Sequence, residues 1–283
     1  MKKTFATVAA AAAAALCAQA ASAGNSGETE SPAFAPKLSF NAYADVETAY
    51  MSRGRILDSR PFTVQFASIE AGFDFLGSIE TAIWTQSPLS GSGSSASYRQ
   101  RAFPEEDYIL RYYYDVDFAE GWRLRNGIGH MWVTCPGYKG EHSTGEFQFL
   151  QSLRTPWITP YWKIRAQHHP DCETYWAVGA KRSFDIIENL SLTIDFYGDI
   201  CDARFLENHY GGNKSGKGWD DGLQALNLVF RLDYRLTEHV GLYAYVGQFS
   251  LVASDTRDAV KSRKAPEARR DLTHGGVGVA VSF

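Results

Sequence analysis

Two short stretches of the sequence combine residue types that could do chemistry. His168-His169-Pro170-Asp171 sets two imidazoles beside a carboxylate, as a metal site or a hydrolase would require. GGNKSGKG, beginning at Gly211, approaches a phosphate-binding loop, but Gly218 stands where Ser or Thr must hold magnesium. Neither stretch completes a catalytic motif, and G-x-S-x-G is absent. We therefore expect polar loops here, with no catalytic residue, no metal and no cofactor.

Charged residues that alternate with apolar ones carry a clearer signal. The first four predicted strands supply mostly acid, and the next four supply mostly base, including Arg154. If the strands close into a ring, the two sets lie on different walls. Acid facing base across water would orient polar solutes, and the basic wall would favour anions locally; alternatively, these groups pair locally and fill the interior. The residues predicted to line the interior are Asp45, Glu47, Arg111, Asp115, Arg123, Arg125, Lys163, Arg165, Lys181, Arg231 and Asp233.

The elements that must position these charges are β-strands. In DYILRYYYDVDF, Tyr108 and every second residue to Phe118 are apolar or aromatic, whereas Asp107, Arg111 and Asp115 are on the other face. Segments of about ten such residues, separated by turns, are typical of a transmembrane β-barrel. Twelve segments have this character: 38–51, 62–75, 77–86, 107–118, 122–134, 146–155, 161–169, 174–185, 190–200, 222–235, 240–252 and 272–283. The apolar phase shifts within the second segment, which predicts a β-bulge near Ala67 or Ser68.

The connections between these segments alternate in length. Those after even-numbered strands are short, whereas most of those after odd-numbered strands are long and rich in Gly, Ser and charge. Outer-membrane barrels pair short periplasmic turns with longer outer loops and an even number of strands. A soluble β-sandwich also alternates, but it would blunt its edges with charge or Pro and would not place tall aromatics outward. The aromatics expected to form interfacial girdles are Trp122, Trp132, Trp157, Trp162, Trp176, Tyr243 and Tyr245.

The two ends of the chain fit the same interpretation. Lys2 and Lys3, an Ala-rich run and Ala21-Ser22-Ala23 predict a cleaved signal peptide over residues 1–23. A short periplasmic segment, residues 24–37, then precedes the barrel, residues 38–283. At the other end Val277, Val279, Val281 and Phe283 share one face. We expect this last strand to pair with the first and to act as the signal read by the barrel assembly machinery.

Charge and cysteine content narrow the class further. Loss of the two leader lysines takes the net charge from −4 to −6, which argues against a nucleic-acid partner. An exported chain permits disulfides, and one is possible among Cys135, Cys172 and Cys201. An odd number of cysteines leaves at least one thiol unpaired.

The segment YMSRGRILDSRPFTVQFASIEAGFDF resembles the opening of the TorF-type porins. Residues that match the family's short motif are Tyr50, Arg53, Gly54, Pro61, Gln65, Gly72 and Asp74. The resemblance covers about a tenth of the chain and implies a porin of unassigned substrate.

Taken together, the sequence predicts one all-β, antiparallel barrel of about twelve strands in the outer membrane, surrounded by lipid. Its expected function is passive diffusion of small polar or charged solutes, set by lumen width and wall charge. Two alternatives stay open: a plugged barrel with a structural or adhesive role, and a hydrolase with its site at the rim.

Overall fold

The computed structural model describes residues 36–58, 60–89, 105–135, 142–211, 218–261 and 269–283. The expected leader and most of the segment after it therefore lie outside the described residues. In chain order the strands are β1 (Lys37–Glu47), β2 (Tyr50–Ser52), β3 (Arg55–Asp58), β4 (Phe62–Gly72), β5 (Ser78–Pro88), β6 (Glu105–Ala119), β7 (Trp122–Cys135), β8 (His142–Arg154), β9 (Thr159–His169), β10 (Glu173–Ile187), β11 (Leu190–Cys201), β12 (Gly222–Arg235), β13 (Val240–Leu251) and β14 (Asp271–Ser282). The α-helices of the described part are α1 (Ala203–Tyr210) and α2 (Ser254–Val260).

Twelve strands form a closed antiparallel barrel, which confirms the predicted fold. Each strand pairs with its neighbour in sequence, except that β1 pairs with β4 on one side and β14 on the other. Beyond Ser282 the closure continues, because the backbones of Phe40 and Phe283 exchange two hydrogen bonds of 3.0 and 2.9 Å. A closed barrel has no edge strand, and this explains how a chain can end in alternating apolar residues.

Turn lengths distinguish the two ends of the barrel. The connections after β4, β6, β8, β10 and β12 are short, and both termini of the barrel lie at the same end as these turns. We call this the short-turn end and the opposite one the long-loop end. Both helices and the two-stranded sheet β2–β3 belong to connections at the long-loop end.

The outward face is apolar, as the period-two pattern predicts. Val277, Leu110, Phe196 and Val246 point away from the lumen and are half or more exposed. Such a surface is stable only against hydrocarbon, and this belt and the closed barrel are those of an outer-membrane protein. Among the described residues no helix is long and apolar enough to cross a membrane.

The bulge predicted near Ala67 or Ser68 is wrong. Strand β4 pairs without a register shift, from Lys37 opposite Gly72 to Glu47 opposite Phe62. The apolar phase changes because Phe62, Val64 and Phe66 face the lumen. Toward the long-loop end Phe62 and Val64 pack against Tyr50 of an inserted hairpin. The strand itself continues unbroken while its surroundings change.

Two of the three candidate cysteines, Cys172 and Cys201, are free in the described structure. The side chain of Cys135 lies outside what the structure describes. Cys172 is exposed in the turn after β9, whereas Cys201 ends β11 and is buried beneath α1 with Tyr175 and Phe205.

Candidate functional site in the barrel lumen

The predicted interior residues alternate in phase on the lumen side of their strands. Contacts between strands that are not neighbours demonstrate this, since such contacts pass through the interior. Arg125 of β7 reaches Glu70 of β4 at 3.0 Å. Arg111 of β6 donates to Gln148 of β8 at 2.9 Å and also pairs with Glu80 at 3.0 Å.

Acidic side chains of β6 neutralise basic side chains of the neighbouring strand β7. Asp117 pairs with Arg123 at 2.6 Å, and Asp115 lies 3.8 Å from Arg125. The register places each acid directly opposite its base. Local pairing therefore removes most of the predicted acid-against-base field at this seam.

A second paired cluster lies on the β1, β12 and β13 side of the lumen. Arg231 pairs with Asp233 at 2.8 Å and stacks 3.9 Å from the ring centre of Tyr243, whose hydroxyl donates to Asp45 at 2.6 Å. The last contact crosses β14 over Gly278, where a Cβ would come within 2.6 Å of both side chains. Tyr243 and its neighbour Tyr245 thus face the lumen, which corrects their expected place in an outward girdle.

Ring order places one predicted acidic strand and one predicted basic strand on opposite sides of the lumen. In the twelve-strand ring, β1 and β9 are six positions apart, so Asp45 and Glu47 on β1 stand across the lumen from Lys163 and Arg165 on β9. Within the described residues, Lys163, Arg165 and Lys181 form no hydrogen bond and no ion pair. Asp195 and Asp199 act on Lys163 electrostatically without pairing with it.

A hairpin that the sequence analysis did not anticipate fills the long-loop end. The plug hairpin, residues 50–58, pairs only with itself and crosses the lumen. At its tip Arg53 forms an ion pair with Glu146 of β8, and Gly54 lies against Asp199 of β11. At its base the Tyr50 hydroxyl donates to Glu105 of β6 at 2.7 Å.

The tip requires an unusual backbone. Arg53 and Gly54 both have positive φ values, 53° and 70°, and a glycine adopts this conformation without strain. Burial lowers the pKa of the Arg53 guanidinium, and the charge of Arg165 acts in the same direction. The hairpin tip therefore lies within electrostatic reach of β9.

The two helices pack around the hairpin. Phe205 and Leu206 of α1 are buried against Tyr175 and Ala177 of β10, and Val260 of α2 packs with Ile56 of the plug hairpin. Asp202 caps α1 by accepting from the Phe205 amide at 2.6 Å. His209 and Asn208 of α1 both contact Glu173 at 3.0 Å. The long-loop half of the lumen is consequently a packed core.

Solvent exposure divides the interior into two halves. Near the plug hairpin Glu146 is 0% exposed and Gln148 is 2% exposed. At the short-turn end the Arg123 and Asp117 side chains are 48% and 61% exposed. We call this solvent-exposed half, lined by Glu70, Asp115, Asp117, Arg123 and Arg125, the inner vestibule.

Carboxylates outnumber cationic groups on the lumen side of the described strands, so any preference for anions belongs to the basic stretch of the wall and not to the lumen as a whole. The sequence analysis did not name several of these acids among the predicted lumen residues, although most of them lie within the predicted strands. These additional inward acids are Glu70, Glu80, Glu105, Glu146, Glu173, Asp195 and Asp199.

The outward residues include a histidine pair. His168, considered above for a rim site, points outward and lies 2.9 Å from His130 between their Nε2 atoms, beside Phe147. Among the described residues neither a carboxylate nor a hydroxyl completes a catalytic arrangement with His168. Trp122 and Trp157 contact each other at the short-turn end, as predicted for a girdle.

Comparisons with known proteins agree on the fold. No protein-family model matches the chain, and no curated protein matches it in sequence. An outer-membrane channel of Pseudomonas putida F1 is 10% identical, with 92% of this chain and 99% of that one covered and a TM-score of 0.50. The KdgM porin (9% identity, 87% and 99% covered, TM-score 0.46) and the NanC porin (11%, 86% and 98%, 0.45) are also similar. At 10% identity the likeness to the Pseudomonas putida F1 channel shows the fold alone, a closed β-barrel.

Proposed function

We propose that this protein is a passive diffusion channel of the outer membrane for small polar or charged solutes. The observation that carries the proposal is a closed barrel whose wall is apolar outside and charged inside. A solvent-exposed vestibule enters this interior from the short-turn end. Lumen width and wall charge would set selectivity, without a chemical step.

Passage through the long-loop half requires the plug hairpin to move. Polar side chains around it, including Glu146, Gln148 and Asp199, are almost fully buried. The hairpin has no backbone pairing with the barrel wall and is held by side-chain contacts at its tip and base. Its displacement leaves the twelve-strand wall intact.

Planar-bilayer recording of the refolded chain 24–283 tests the proposal. A variant in which two glycines replace residues 50–58 removes the plug hairpin and keeps the barrel. We expect discrete conductance steps from the wild type and larger, longer steps from the hairpin-deleted variant. Silence from both, with the barrel shown to be folded, would refute the channel.

The packed long-loop half also favours a second candidate, a structural or adhesive barrel with a plugged lumen. This candidate predicts the silent outcome together with binding of a partner by the outer loops. A rim hydrolase has less support, because His168 contacts only another imidazole and aromatic rings in the described structure.

Three finer assignments belong to this proposal. We infer that the chain is a TorF-type porin, and the motif residues Tyr50, Arg53 and Gly54 gain a physical role in the plug hairpin. Residues 1–23 would be a cleaved leader. The last strand would serve as the signal for the assembly machinery, with Phe283 seated against Phe40 and His239.

A further inference from the structure

We propose that Lys163 and Arg165 of β9, beside Arg53 of the plug hairpin, form an anion-binding subsite at the closed end of the inner vestibule. Its ligand is a small solute bearing a carboxylate, sulfate or phosphate group. This inference deepens the proposed function, because it names the chemical class that the channel holds.

The register brings the three cations together. Lys163 and Arg165 are two residues apart on one strand face, roughly 6.6 Å between Cα atoms. Arg165 is opposite Gln148, and the next inward residue of that strand is Glu146, the partner of Arg53. A single oxyanion group can therefore be shared between β9 and the hairpin tip.

Three of the acids around the subsite accept hydrogen bonds from neutral donors, whereas Asp107 and Glu146 each keep one oxygen atom without a partner among the described residues. Glu105 accepts from Tyr50 and Gln86 at 2.7 and 3.3 Å. Asp199 accepts from Tyr175 and Asn227 at 2.5 and 2.7 Å. Asp195 accepts from Tyr161 at 2.8 Å.

Lys163 and Arg165 themselves have no hydrogen-bond partner in the described part of the chain. Both side chains are half-buried and thus accessible to solvent. The Nε atom of Arg53 is buried and likewise lacks a partner. Cationic donors without acceptors suit a ligand that supplies oxygen atoms.

Isothermal titration calorimetry of the refolded chain, in detergent at low ionic strength, tests the subsite. The probes are sulfate and gluconate, and sorbitol is the uncharged control for gluconate. The test variant is Lys163→Gln/Arg165→Gln. The matched control is Lys37→Gln/Arg235→Gln, which removes two exposed cations at the short-turn end. A barrel that runs as a folded species in unheated gels qualifies each variant for titration.

We expect one anion per barrel, no heat with sorbitol, and at least about a tenfold weaker affinity in the test variant but not in the control. Absence of anion binding by the wild type, or equal loss in both variants, would overturn the subsite. Bilayer conductance is scored separately. A barrel that conducts without binding anions refutes the subsite alone, and one that binds anions without conducting refutes the channel alone.

Discussion

The ion pair between Arg53 and Glu146 gives the sharpest test of the plug hairpin. Glu146 is fully buried and the Arg53 side chain is 17% exposed. Replacing Arg53 by Met leaves a buried carboxylate without its cation, and such losses cost about 3–5 kcal/mol. The wall strands do not depend on this pair, so the loss falls on the docking of the hairpin. We expect the docking equilibrium to shift toward the open state by roughly two to nearly four orders of magnitude.

Single-channel recording measures this shift as a rise in open probability. The double variant Arg53→Met/Glu146→Gln removes both charges and should return most of the way to the wild type, since the uncompensated charge is gone. Arg235→Gln provides a control far from the hairpin. Identical open probabilities in the single and double variants would mean that the ion pair does not hold the plug.

Three further perturbations test other parts of the structure. Gly278→Val should lower the urea midpoint by an amount equivalent to about 1–3 kcal/mol, because the new side chain would collide with Asp45. Gly222→Ala should change the midpoint little, because there is open space around Gly222. Equal effects of the two substitutions would contradict this packing. Deletion of Phe283 should slow insertion by the assembly machinery, measured as folded barrel per unit time, and an unchanged rate would refute the terminal signal. Burial lowers the pKa of His209, so the folded state resists protonation of this side chain. The docking of α1 should therefore weaken as the pH falls below about 6.5. Hydrogen exchange of α1 would detect this pH dependence, and His209→Gln should abolish it.

Fold prediction from the sequence succeeded where the signal is local. Period-two alternation reports two environments for one strand, and this located all twelve wall strands within a few residues. Val277 and Phe283 predicted the closure with β1 because an apolar terminal strand needs a partner on both sides. The predicted bulge was wrong because the apolar side chains of Phe62 and Val64 face the lumen and not the lipid. They pack there against the apolar surface of the plug hairpin.

Prediction of the site succeeded only in part. Alternation placed the predicted charges on the inner face, but it did not say which would pair. Arg125 forms an ion pair with Glu70 three strands away, and Arg53 forms one with Glu146 on the opposite side of the lumen. These ion pairs depend on the stagger of the strands in the closed sheet. The spacing of residues along the chain does not reveal which side chains this stagger brings together. The short Arg-Gly motif was the available signal for the hairpin, and its positive φ values became clear only in three dimensions.

The sequence by itself determined a barrel with an apolar exterior, a charged interior and two ends with loops of unequal length. The reason is that each side chain prefers water or lipid according to its own polarity. Only the tertiary structure decided that one half of the interior is packed. It also decided that Lys163 and Arg165 have no hydrogen-bond partner within the described residues, while Glu105, Asp195 and Asp199 accept from neutral donors. The physical reason is that a charge is neutralised by whatever lies within a few ångströms, and closing the barrel chooses those neighbours.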